Sequence, residues 1–247
     1  MNELATLTCD GPVATLTMHR PEARNALSTD LLKGLHDRLG EIPDDMRVLV
    51  LTGEGRSFCA GMDLKTVMSD PKACRDLLRS LATLTVRLRA LPQVTVARVN
   101  GAAIGGGCGL VCVTDFAVTH DDAKLGYPEV DLGLCPAVVA PWLVRRVGAG
   151  RAREILLKGG TFSGARAAEV GLVTESVASR DDLDDATGAL VARIASGGPN
   201  ALRATKALLN EVDGSLDEAM VLKGADLSAD VLSGDEAQSS LRRAFGA

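Results

Sequence analysis

Three glycine-containing turns and one glutamate are the parts of this sequence that could carry chemistry. The turns lie at residues 52–64 (TGEGRSFCAGMDL), 100–110 (NGAAIGGGCGL) and 124–134 (KLGYPEVDLGL), and each follows a predicted strand. Turns at strand ends are the usual place for functional groups in α/β proteins. The first two turns also lie where helices start, so that their backbone N–H groups lack acceptors. Two such donors aimed at one point would form an oxyanion hole for a carbonyl that gains negative charge.

Nucleotide-binding motifs do not fit these turns. The GxGxxG fingerprint does not match residues 101–110 cleanly, and no acidic residue stands where a ribose contact would be expected. The segment TGEGRSFCAG lacks the final Lys-Ser/Thr pair of a phosphate-binding loop. What remains is a pair of tight turns, at residues 61–63 and 105–107. Taken alone, their glycines could serve only close helix packing, with Asp63 as an ordinary N-cap.

Alternating strand and helix patterns position these turns. Residues 3–19 predict a hairpin around Asp10-Gly11, and leucines recur at helical spacing after Ser28, a plausible N-cap. Further strands are predicted at 47–53, 94–101 and 116–120, and further helices at 70–91, from 105 onwards, and at 162–173 with an end at Gly171. This alternation predicts an α/β core over residues 1–195. Residues 196–247 carry only helical patterning and are predicted to form a C-terminal helical region for oligomerisation.

The composition excludes several classes of function. The chain of 247 residues has a net charge of −5 and only 2% aromatic residues, so nucleic-acid binding is disfavoured. Its six cysteines and three histidines are scattered, without the spacing of a metal site. No apolar run is long enough to span a membrane. We therefore expect a cytoplasmic protein with reduced thiols, no bound metal, and neither nucleic acid nor membrane as a partner.

Five motifs, in order along the chain, resemble those of the enoyl-CoA hydratase/isomerase, or crotonase, family. They are HRPEARNAL (19–27), GRSFCAGMDL (55–64), VNGAAIGGGCGL (99–110), YPEVDLGLCP (127–136) and FSGARAAEVGLV (162–173). The resemblance implies a crotonase-like spiral of repeated ββα units followed by a C-terminal helical region. It also implies an acyl-CoA thioester substrate without a permanently bound cofactor, and assembly as a homotrimer or a dimer of trimers.

The resemblance also assigns site residues. The backbone N–H groups of Met62 and Gly106 would hold the thioester oxygen and stabilise an enolate, and Glu129 would be the acid/base. The backbone near six residues would line the coenzyme A groove: Ala23, Arg24, Ala26, Ala60, Met62 and Leu64. Arg24 could hold a phosphate, although an isolated arginine on a surface is commonly only solvated.

The residue at position 109 separates two reactions. Hydratases of this family usually bring two glutamates to the substrate, one at the position of Gly109 and one at that of Glu129. Hydration needs a held water and a proton donor, whereas one carboxylate can move a proton between two carbons. We therefore expect isomerisation of 3-enoyl-CoA to 2-enoyl-CoA, with Glu129 as the single acid/base.

Hydration with a non-standard second catalytic group remains the close alternative, because residues 132–148 look more like the hydratase branch of the family that handles branched enoyl-CoAs. A third hypothesis is a catalytically silent subunit that binds acyl-CoA. Asp121, Asp122 and Asp131 are expected at the surface or in caps, not as a second acid. Cys108 and Cys112 are expected to pack in the core, since nothing near them in sequence would activate a thiolate.

Overall fold

A hairpin opens the fold, as predicted. In the computed structural model, which describes residues 3–63 and 70–245, strands β1 (Ala5–Asp10) and β2 (Val13–Met18) pair antiparallel. The pairing runs from Ala5 opposite Met18 to Asp10 opposite Val13, and Gly11 takes a positive φ of 51° in the turn. Glycine adopts this left-handed conformation without steric cost.

The following strands come in consecutive pairs that divide between two sheets. These pairs are β3 (Val48–Gly53) with β4 (Ser57–Cys59), β5 (Val94–Arg98) with β6 (Ala102–Ile104), and β7 (Phe116–His120) with β8 (Lys124–Gly126). The first strand of each pair joins a six-stranded sheet of order β1-β2-β3-β5-β7-β10, which ends at β10 (Glu175–Val177). The second joins a four-stranded sheet of order β4-β6-β8-β9, which ends at β9 (Thr161–Ser163). Each ββα unit therefore adds one strand to each sheet, which confirms the predicted crotonase-like spiral.

Helices complete the units and carry the predicted caps. The helices up to β10 are α1 (Thr29–Leu39), α2 (Pro71–Ala90), α3 (Gly106–Val113), α4 (Ala140–Val147), α5 (Ala149–Lys158) and α6 (Gly164–Glu169). The Ser28 hydroxyl accepts a hydrogen bond from the Leu31 N–H at 3.2 Å, so it caps α1 as predicted. Asp70 caps α2 in the same way, and Gly171 with φ of 80° follows the end of α6. Two short 3-10 helices, Pro21–Ala23 and Val130–Leu132, lie beside the site.

Only helices follow β10 in the described residues. They are α7 (Leu183–Ala195), α8 (Pro199–Val212), α9 (Glu218–Leu232) and α10 (Asp235–Phe245). Helix α9 packs against α2 of the same chain, where Arg75 and Arg79 pair with Asp226 at 3.2 and 2.8 Å. Ala225 of α9 is buried in the main hydrophobic core. The boundary at 195/196 stays a prediction.

The described residues contain no helix long and apolar enough to cross a membrane. Within the same residues there is no cluster of three or more metal-ligating side chains.

Candidate active site

A cavity of about 530 Å³ collects the residues that the motifs singled out. The predicted site residues that line it are Ala23, Arg24, Ala26, Ala60, Met62, Gly106 and Glu129. Leu64 lies outside the described residues, so its contact with coenzyme A stays a prediction. The cavity therefore joins the segment before α1, the turn after β4, the start of α3 and the segment after β8.

Two glycine turns place a pair of free N–H groups in this cavity. Gly61 and Gly105 adopt φ of 87° and 53°, which favours glycine at both positions. Among the described residues, no acceptor receives a hydrogen bond from the N–H of Met62 or of Gly106. A Cβ on Gly61 would lie only 2.8 Å from the Ile104 carbonyl oxygen and 3.8 Å from the Gly106 nitrogen. The two turns therefore touch, and both unpaired donors belong to one wall of the cavity.

Neighbouring backbone groups fix the two turns. The Leu27 N–H donates to the Gly61 carbonyl at 2.8 Å, and the Leu27 carbonyl accepts from the Asp63 N–H at 3.0 Å. The Gly105 N–H donates to the Gly126 carbonyl at 2.9 Å. Donors held in this way need little reorganisation when a negatively charged oxygen forms near them.

Glu129 is a largely buried acid that faces the second turn. A Cβ on Gly105 would lie 2.6 Å from Glu129 Oε1, so the carboxyl group rests against the peptide that precedes the Gly106 N–H. Its Oε2 atom is buried and has no hydrogen-bond partner among the described residues. Burial raises the pKa of Glu129 from 4.5 to about 7, and the charge of Asp131 acts in the same direction. The carboxyl group can therefore both take and return a proton near neutral pH.

The side chain of Val139 fills the space beside Gly109. Gly109 is buried in α3, and a Cβ placed on it would lie 2.2 Å from Val139 Cγ1 and 3.0 Å from Val139 Cβ. The carboxylates that line the cavity besides Glu129 are Asp63, which pairs with Arg20 at 2.8 Å, and the exposed Glu22. Glu129 is therefore the only unpaired, largely buried carboxyl group in the cavity wall formed by the described residues.

Three aspartates considered as a second acid are, as expected, surface residues or partners of nearby polar groups. Asp121 accepts a hydrogen bond from the Ser176 hydroxyl at 2.6 Å, Asp131 accepts one from the Gly160 N–H at 2.8 Å, and Asp122 is exposed. None of these aspartates lines the cavity.

The two cysteines of α3 belong to the core, as expected. Cys108 and Cys112 are both buried, and Cys112 Sγ lies 3.2 Å from the Tyr127 hydroxyl. Burial raises the pKa of the Cys108 thiol, so this group stays protonated at neutral pH.

Sequence reasoning missed Arg20 and Asn25, whose side chains shape the loop before α1. Arg24 and Asn25 both adopt a positive φ, at 54° and 55°. The buried Asn25 side chain accepts from the Arg20 N–H and donates to the carbonyls of Glu54 and Ser57, all within 3.0 Å. The Arg20 guanidinium joins the Ala26 carbonyl to Asp63. The one available signal was Asn25 itself, because asparagine tolerates the left-handed conformation better than most residues.

Helix α9 closes another part of the cavity, which no local pattern predicted. Ser228 and Leu232 of this helix line the cavity together with Cys135. The Ser228 hydroxyl donates to the Cys135 carbonyl at 2.8 Å and accepts from the Ala137 N–H at 3.1 Å. Both polar functions of Ser228 are thus engaged by backbone, and this wall offers mainly apolar surface.

The two-sheet spiral and its cavity define a crotonase-fold protein, and comparisons identify the family. The family model for enoyl-CoA hydratase/isomerase matches residues 8–243. The chain is 34% identical over 217 residues to the crotonyl-CoA hydratase of Syntrophomonas wolfei, covering 85% of this chain and 83% of that protein. It is 35% identical over 202 residues to the 2,3-dehydroadipyl-CoA hydratase of Escherichia coli, covering 81% and 78%.

A solved structure with the same fold indicates the same family as the sequence relatives do. The crystal structure of an enoyl-CoA hydratase from Mycobacterium avium superposes with a TM-score of 0.89 at 30% identity, covering 100% of this chain and 97% of the other. The chain therefore belongs to the enoyl-CoA hydratase/isomerase family, and the resemblance drawn from its motifs is confirmed. Enzymes of this family act on coenzyme A thioesters.

Proposed function

We propose that this enzyme isomerises 3-enoyl-CoA to 2-enoyl-CoA. The Glu129 carboxylate takes a proton from C2 of the acyl chain, while the Met62 and Gly106 N–H groups hold the thioester oxygen. The electron pair of the broken C2–H bond moves into a dienolate. Protonated Glu129 then returns the proton to C4, so that the double bond moves from C3–C4 to C2–C3 and no atom is gained or lost. Loss of one oxyanion donor typically costs on the order of 100-fold in rate.

One observation carries the proposal. Glu129 is the only unpaired, largely buried carboxyl group that the described residues bring to the cavity, and position 109 has no room for a second one. A single acid/base suffices for a proton shift, whereas hydration asks for an activated water and a proton donor. The raised pKa of Glu129, about 7, suits a group that must act first as a base and then as an acid.

The test compares two substrates and three proteins. The purified enzyme, Glu129→Gln and the control Asp122→Asn are incubated with 3-enoyl-CoA and with 2-enoyl-CoA of several chain lengths. Asp122 is exposed and does not line the cavity, so its amide variant controls for the loss of one carboxylate. We expect Glu129→Gln to lose at least about 100-fold in isomerase kcat, since positioned acid/base groups contribute about that much or more. Unchanged turnover of this variant would exclude the mechanism.

Hydration of 2-enoyl-CoA is the second candidate, favoured by the names of the relatives. Both the Syntrophomonas wolfei and the Escherichia coli proteins are named hydratases. Efficient hydration by the wild-type enzyme without isomerisation would support this candidate and reject ours. Binding of coenzyme A thioesters without any turnover would instead indicate a silent binding subunit.

The coenzyme A portion of the substrate would lie along the loop before α1. Ala23, Arg24 and Ala26 line the cavity beside Ala60 and Met62, and the Ala60 N–H donates to the Arg24 carbonyl at 3.0 Å. The exposed Arg24 guanidinium can meet a phosphate there. In this arrangement coenzyme A arrives and leaves as part of the substrate, so no permanently bound cofactor is needed.

We also propose that the chain assembles as a trimer or a dimer of trimers. The number of copies follows from the family resemblance, and the exposed apolar side chains Leu208, Leu209 and Val212 of α8 support an interface there. Val212→Asp should shift the mass measured by light scattering towards the monomer, while Leu157→Asp, an equally exposed apolar position on α5, should not. We place the protein in the cytoplasm, because its six cysteines are free.

A further inference from the structure

Val139 occupies a fixed position opposite Gly109. It caps the start of α4, where its N–H donates to the Pro136 carbonyl at 3.2 Å and its carbonyl accepts from the Leu143 N–H at 3.1 Å. The residue is only 3% exposed, yet it forms part of the cavity lining. A β-branched side chain on a fixed backbone has few rotamers, so it cannot turn away from Gly109 at little cost.

The contact leaves no space for any side chain at position 109. A Cβ on Gly109 would overlap Val139 Cγ1 at 2.2 Å and would lie 3.0 Å from Val139 Cβ, but 3.9 Å from Val139 Cα. Alanine at position 139 would keep the tight Cβ contact, whereas glycine would leave only the Cα at ordinary van der Waals distance. The obstacle is therefore the valine side chain, and not the backbone of α4.

The same wall offers little to hold a water molecule. The Gly109 N–H is already used, since it donates to the Gly105 carbonyl at 2.9 Å. Val138 and Val139 present hydrocarbon to the cavity. A bound water needs about two to four polar partners, and a hydrocarbon wall supplies none.

We propose that Val139 determines the reaction of this site by filling the space in which a second carboxylate and its water would act. Val139 thereby excludes hydration of the acyl double bond and leaves proton transfer as the available chemistry. This inference rests on the proposed isomerase function. It adds a specificity-determining residue that acts by occupying space.

The experiment measures the ratio of hydration to isomerisation in four variants. Val139→Ala opens the wall, and Gly109→Glu/Val139→Gly supplies both an acid and the room for it. Gly109→Glu alone keeps the obstacle. Val113→Ala removes the same two methyl groups from a buried valine of α3 that does not line the cavity, so it controls for general loosening.

We expect the double variant to raise the hydration-to-isomerisation ratio at least about 100-fold, the contribution typical of a positioned acid/base group. Val139→Ala should raise the ratio less, and Val113→Ala should leave it unchanged. Gly109→Glu alone should melt at a lower temperature and should not hydrate. A double variant that retains isomerisation without gaining hydration would overturn the inference, as would hydration by Gly109→Glu alone.

Two further outcomes keep the inference separate from the function on which it rests. If the wild-type enzyme hydrates and does not isomerise, the proposed function is wrong, whatever the variants do. If the wild-type enzyme isomerises and the ratio in Val139→Ala equals that in Val113→Ala, only the role of Val139 is rejected. The comparison of Val139→Ala with Val113→Ala tests the role of Val139 even if the double variant does not fold.

Discussion

Glu129→Gln should change how the stability of the protein depends on pH. Burial raises the pKa of this carboxyl group from 4.5 to about 7 in the folded chain. This difference corresponds to about 3 kcal/mol between the protonated and ionised forms. Because Glu129 keeps some solvent exposure, we expect an effect of about 1 to 3 kcal/mol on the free energy of unfolding.

The sign follows from the two pKa values. Below pH 4.5 the carboxyl group is protonated in both the folded and the unfolded chain, and the folded chain gains the full benefit of a neutral buried group. Between pH 4.5 and 7 the unfolded chain releases the proton while the folded chain keeps it, so stability falls as the pH rises through about 7. A glutamine at position 129 is neutral throughout. The variant should therefore match the wild type near pH 4.5 and exceed it by about 1 to 3 kcal/mol above pH 8.

Urea unfolding at a series of pH values measures this difference. Asp122→Asn is the control, since an exposed carboxyl group should change the pH profile little. The kcat/KM of the wild type should rise with pH with a midpoint near 7, because the free enzyme needs the ionised base. Parallel unfolding profiles for the wild type and Glu129→Gln, together with a kinetic midpoint near that of a solvated glutamate, would refute the argument from burial.

Three further substitutions test residues that line the cavity or hold the loop beside it. Gly105→Ala would place a Cβ 2.6 Å from Glu129 Oε1 at a φ of 53°, so kcat should fall on the order of 100-fold in steady-state assays while coenzyme A thioesters still bind. Arg24→Ala should weaken thioester binding by about 1 kcal/mol in calorimetry at low salt and less at high salt, with kcat unchanged. Asn25→Ala removes three buried or partly buried hydrogen bonds and should lower the free energy of unfolding by about 2 to 3 kcal/mol in urea.

Local patterns predicted the elements and the turns. The Asp10-Gly11 hairpin, the Ser28 cap and the helix at 70–91 each depend on residues within a few positions of one another, and the structure has them at nearly those bounds. The family resemblance assigned the turns at residues 61–63 and 105–107 to one site. In the structure the strands that precede them, β4 and β6, pair in parallel, so that their ends meet at one edge of a sheet. The fold and the part of the cavity lining that the motifs contain could therefore be predicted from the sequence.

Contacts between distant segments could not be derived in this way. Ser228 reaches the Cys135 carbonyl across 93 residues, and Arg20 reaches Asp63 across 43. Val139 meets Gly109 only because the start of α4 folds back over α3. Side-chain spacing carries no information about such contacts. The sequence could show that Gly109 lacks a carboxylate, but not that a valine fills its place.

One turn links Glu129, the proposed acid/base, to the Gly106 N–H, the proposed oxyanion donor. Gly105 brings the following N–H into the cavity, and the absence of a side chain at Gly105 lets the Glu129 carboxyl group rest beside the same peptide. The burial that results raises the pKa of Glu129 to a useful value and also makes its ionised form destabilising. Reactivity and instability at Glu129 therefore have one cause. A substitution that relieves the burial should stabilise the protein at high pH and slow the reaction together.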